Sequence, residues 1–150
     1  MPGPCRGFSD YNYGMRFCLC LLVAAVACLA GDPPPTVTLH GKLIVLEGKP
    51  AAIETPDHKS VLLDGDAPTR KVLADTRLNG FEIQAKGHFT APGRFLLDPI
   101  HTHSMLVNKD GHLKMVTYWC DVCSIRAYTP GPCVCCQQET VLDLHDPDEL

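Results

Sequence analysis

The spacing of thiols near the carboxy terminus constrains this chain more than any other feature. Residues 120–136 read CDVCSIRAYTPGPCVCC and carry five of the nine cysteines. Cys120 and Cys123 form one C-x2-C pair, and Cys133 and Cys136 form a second after nine intervening residues. A C-x2-C turn sets two sulfurs on one side of an ion while the intervening amides point inward. Two such turns facing each other complete a tetrahedron with sulfurs about 2.3 Å from the metal. Each turn is expected at the tip of a short hairpin. Zinc is the expected ion. Cys135 is the surplus thiol, either replacing Cys136 as a ligand or staying free. Other chemistries for the same residues are iron in a four-thiolate shell, a redox dithiol, copper, or disulfides pairing Cys120–Cys123 with Cys133–Cys136. The odd number of thiols in the cluster weighs against complete disulfide pairing.

The amino-terminal segment indicates a compartment. Residues 17–30, FCLCLLVAAVACLA, are uncharged, follow Arg6 and Arg16, and precede GDPPP. Fourteen residues are short for a bilayer span of about 20. A basic flank, an apolar centre and small residues near Ala30 describe a secretory signal over residues 1–30. Met15 is an alternative start. One exit is cleavage after Ala30. The other is lipidation: Ala25-Val26-Ala27-Cys28 resembles a bacterial lipobox, with Cys28 as the acylated first residue. A retained anchor helix is a third reading. The expected location is export to the periplasm or cell envelope, with any membrane contact through a lipid on Cys28. Residues 31–35 form a proline-rich linker, a stiff extended spacer.

Between linker and thiols the pattern is that of a turn-rich β protein. Thirteen prolines and twelve glycines punctuate 150 residues. Residues 36–46 alternate, with Val37, Leu39, Leu43 and Val45 on one face and Gly41 marking a bend. Short strands are expected at 51–55 and 60–64. The one plausible helix, 68–76, is capped by Asp66 or Ala67, with Pro68 in its first turn. Phe81, Ile83, Ala85 and Phe89 then alternate with polar residues. Strands at 95–101, 105–107 and 113–119 follow, the last two around an Asn108–Gly111 turn. Residues 124–128 and 139–144 make the final strands.

Three strands, a short helix and two strands, with breaks at Gly41 and Gly87, resemble the oligonucleotide/oligosaccharide-binding (OB) fold, a five-stranded Greek-key barrel. Residues 113–144, with Cys120, Cys123, Cys133 and Cys136 as ligands, resemble a zinc ribbon or a rubredoxin-type knuckle pair. The nine-residue spacer is shorter than in either family. The whole pattern resembles small secreted bacterial proteins that join such a barrel to a Cys-rich end. The expected fold is therefore mainly β: an OB-like five-stranded barrel with one short helix over 36–112, and a zinc-ribbon-like appendage with an acidic tail over 113–150.

Function is bounded mainly by exclusion. The formal charge of −4 carries no clustered basic excess, and the barrel segment lacks a basic groove with stacking aromatics, so nucleic acid is not an expected partner. No G-x-S-x-G, Walker loop or H-E-x-x-H is present, and the chain does not read as an enzyme. A body of this size buries only a modest core, so a metal clip adds useful stability. The expected role is a binding or scaffold module, engaging a protein or envelope partner, with a structural four-cysteine zinc site. The alternative is a redox or metal-trafficking protein using Cys135 and the H-x-H-x-M run His101, His103 and Met105. On a strand those three would share one face, with imidazole and thioether ligands suited to copper. Tyr118 and Trp119 are expected to pack beneath the metal site.

Overall fold

A computed structural model describes residues 34–149, so the signal segment, Met15 and the lipidation site Cys28 lie outside the described residues. From Pro35 onward the chain forms one compact unit. Its first five strands are β1 (Val37–Ile44), β2 (Ala52–Glu54), β3 (Ser60–Asp64), β4 (Glu82–Ala91) and β5 (Arg94–Leu97). Helix α1 (Ala67–Leu73) and a 3-10 turn (Thr76–Leu78) join β3 to β4. β1 pairs antiparallel with β2, and β2 with β3. β3 runs parallel to β5, β5 antiparallel to β4, and β4 antiparallel to β1, which closes a five-stranded ring. This is the OB-like barrel expected from the order of elements.

Strand alternation explains the closure. Leu43, Ile53, Val61, Leu63, Ile83, Ala85, Phe95 and Leu97 are all buried in one core, joined by Val72, Leu73 and Leu78 from the α1 segment. Val37, expected on the same face, is 40% exposed, because the first residues of β1 extend past the core. Gly41 and Gly87 sit where strands change partners. A Cβ on Gly41 would collide with the Glu54 carbonyl, and one on Gly87 with the Leu96 carbonyl. Glycine is needed at both for close backbone approach.

Two expectations shift. The helix ends at Leu73 rather than 76, because the Asp75 side chain accepts the Arg77 amide at 3.0 Å and caps a new 3-10 turn. The strand expected over 95–101 stops at Leu97. Pro99 cannot donate to a ladder, Ile100 turns into the left-handed region (φ 69°), and His101–Ser104 form a single helical turn, α2.

Four further strands extend the sheet: β6 (Met105–Lys109), β7 (His112–Cys120), β8 (Ile125–Ala127) and β9 (Val141–His145). Residues 82–85 of β4 pair with β1 on one edge and with β6 on the other. The β6–β7 hairpin turns at Asp110-Gly111, both at positive φ, as a type I′ turn requires. β7 carries β6 and then β8 on one edge and β9 on the other. Val107, Val116 and Tyr118 join the barrel core, with Leu142 and Leu144 packed against it. β7, which ends in Cys120, therefore shares the barrel's core. Among the described residues, no helix is long and apolar enough to cross a membrane.

Candidate metal centre

β7 ends at Cys120, and the chain turns at once through Asp121 and Val122 to Cys123. Ser124 adopts a left-handed conformation (φ 53°), and its amide donates to the Cys120 carbonyl at 2.8 Å. The second turn repeats this geometry. Gln137 is left-handed (φ 61°), and its amide donates to the Cys133 carbonyl at 2.9 Å. In the first turn the amides of Val122 and Cys123 point at the Cys120 sulfur. In the second the amides of Cys135 and Cys136 point at the Cys133 sulfur. The two C-x2-C segments are thus equivalent knuckles with inward-facing amides.

The hairpin carrying the second knuckle is closed by a bridge between Pro132 and Glu139 and by the Cys133 amide donating to the Gln138 carbonyl at 2.7 Å. Together the knuckles place the sulfurs of Cys120, Cys123, Cys133 and Cys136 within 4.8 Å of one another. The sulfurs of Cys120 and Cys136 lie 3.5 Å apart. A tetrahedral ion bound at about 2.3 Å sets sulfurs about 3.8 Å apart, so the cluster already spans the required range. A disulfide needs about 2.05 Å, and all five described cysteines are free thiols. Cys120 and Cys133 are buried, Cys123 and Cys136 half-buried, and Cys135 exposed outside the group of four.

The electrostatics of the cluster favour a cation. Amides of Cys136 and Cys135 lower the Cys133 thiol to about 7 despite its burial. The Cys123 amide pulls Cys120 the same way, but burial and the neighbouring thiols outweigh it and leave that thiol raised. Cys123 is raised by the adjacent thiols of Cys135 and Cys136 and by burial. Four thiols this close cannot all ionise beside one another, whereas a central dication makes thiolate the favoured state of each. Donor type, number, spacing and amide support all fit a soft tetrahedral metal ion.

The H-x-H-x-M run does not form a ligand set. Its residues lie on α2 and the start of β6, not on one strand face. His101 is buried with Nε2 3.2 Å from the Val116 carbonyl, Met105 is fully buried in the core, and His103 is exposed. Helical geometry at 101–104 removes the two-residue periodicity on which the copper reading depended. Tyr118 lies fully buried two residues before Cys120, and Trp119 is half-buried with the Arg126 guanidinium 5.6 Å from its ring centroid.

Sequence reasoning missed the groups that support the knuckles. Asp75, Arg77 and Thr140 link them to the barrel by hydrogen bonds. The only local signal was the spacing of Asp75 and Arg77, which suits an aspartate capping its own turn. A separate cleft of about 600 Å³ lies over the β3–β5 seam. It has Leu62, Leu63 and Phe95 on its apolar side and Lys49, Arg70 and Arg94 around it. No protein-family model, curated protein or solved structure matches this chain.

Proposed function

We propose that this is an exported, non-enzymatic binding or scaffold module whose Cys120, Cys123, Cys133 and Cys136 thiolates hold one structural zinc ion. The carrying observation is the closed set of four sulfurs within 4.8 Å, two on each of two equivalent knuckles. A four-thiolate shell leaves no coordination position for substrate, which is the mark of a structural rather than a catalytic zinc. Bound there, the ion supplies cross-linking of β7 to the β8–β9 connection. Zinc is favoured because four soft thiolates in a tetrahedron suit a d10 ion without a geometric preference of its own. Export rests on the apolar segment 17–30 with its basic flank and small-residue exit.

Elemental analysis of the purified protein tests the metal. One zinc per chain is expected. A chain without metal and with its thiols oxidised would sink the reading, and a visible iron–thiolate spectrum would replace zinc with iron in the same shell. Mass spectrometry of the native amino terminus tests the export route. A start at Gly31 means simple cleavage, an acylated Cys28 means a lipid anchor, and an intact Met1 or Met15 contradicts cleavage.

A further inference from the structure

The two knuckles hang from different strands, yet their supports meet on one ion pair. Arg77 Nε bonds both Asp75 carboxylate oxygens at 2.9 and 3.0 Å, and a terminal nitrogen reaches Oδ2 at 2.8 Å. The same Oδ2 accepts the Tyr118 hydroxyl at 2.9 Å. Tyr118 sits in β7 two residues before Cys120, so Asp75 grips the strand that ends in the first knuckle. The other terminal nitrogen of Arg77 donates to the Thr140 carbonyl at 3.0 Å. Thr140 is buried and bonds the Gly131 carbonyl through its hydroxyl at 2.8 Å, closing the base of the second knuckle's hairpin. Besides the contacts among the thiols themselves, the Arg77–Thr140 hydrogen bond ties residues 128–140 to the rest of the unit. The guanidinium also lies 5.2 Å from the Tyr118 ring centroid.

We infer that Asp75 and Arg77 are positioning residues that set the separation of the two knuckles, and with it the affinity of the thiol shell for its metal. This rests on reading the cluster as a metal site. The first knuckle is fixed by the β7 ladder. The second projects from a segment without regular ladder pairing before Val141, so its approach to the first depends on the hold at Thr140. A guanidinium suits the task because its planar fork serves Asp75 on one side and a carbonyl on another. Groups that orient ligands from behind commonly change metal affinity by about 10- to 100-fold when removed.

The test is zinc affinity of the full chain, measured by competition with a chromophoric chelator, with the cobalt(II) absorption spectrum as a geometric readout. Arg77→Ala and Arg77→Lys should each weaken zinc about 10- to 100-fold and alter the cobalt bands. Arg70→Ala, on α1 and paired with Asp64 rather than with either knuckle, should leave both unchanged. Wild-type zinc affinity in Arg77→Ala overturns the inference, even if the apo protein melts earlier, and leaves the metal site standing. A wild-type chain that binds neither zinc nor cobalt overturns the site itself and the inference with it. Should Arg77→Ala not fold, Tyr118→Phe decides, since it removes one hydroxyl. A several-fold weakening upholds the inference, and unchanged affinity overturns it.

Discussion

At the scale of single residues, the five described thiols divide by position. Cys120 and Cys133 are buried and each receives two backbone amides, so serine at either site should abolish stoichiometric metal binding and lower the melting temperature sharply. Cys135→Ser should retain one metal per chain and melt within about 2 °C of the parent, because surface changes usually move stability by less than about 0.5 kcal/mol. Elemental analysis and thermal unfolding of both variants check the pair of outcomes. His101 makes a separate prediction. Burial lowers its folded-state pKa, against an opposing pull from the Val116 carbonyl and Asp66. A histidine held neutral stabilises the fold fully above its unfolded pKa of about 6.5, and that contribution is lost as pH falls from there through the folded value. Denaturant midpoints should therefore drop with acidification below about pH 6.5, and His101→Gln should flatten that slope.

At the scale of elements, the glycines that let strands cross are the most sensitive positions. Gly41→Ala and Gly87→Ala each drive a Cβ into a backbone carbonyl, with no flexible side chain to yield. Each should cost about 3 kcal/mol or more in urea unfolding, in the range of severe core strain. Asp66→Ala, which removes the acceptor for the Thr69 amide at 2.9 Å, should cost only about 1 kcal/mol. These elements also show what a sequence can disclose. Period-two alternation at 81–89 and the breaks at Gly41 and Gly87 made the barrel legible, since both follow from local sterics. The knuckles were legible because metal chemistry demands C-x2-C spacing. The helical turn at 101–104 was not, because its H-x-H-x-M run alternates like a strand and only the Pro99–Ile100 reversal overrides it. The Asp75–Arg77–Tyr118–Thr140 links were invisible because they join residues 43 and 63 positions apart, a distance that no local pattern encodes.

At the scale of the whole molecule, the strand that ends in Cys120 packs into the barrel core through Val116 and Tyr118, so metal and fold should report on each other. An ion that binds only the native state stabilises it by mass action. A strong chelator should therefore lower the melting temperature of the entire unit in one transition. Two separate transitions would show that the knuckles melt independently of the barrel. β4 carries the same interdependence into time. A chain made from its amino end completes all five barrel strands before any of the five clustered thiols exists. During that interval residues 82–85 of β4 have β1 on one side and nothing yet on the other, where β6 will pair. An unpaired ladder edge is a template for another strand. The newborn barrel is thus most exposed to self-association just before Met105 arrives, and the β6–β7 hairpin serves as its seal as well as the route to the thiols.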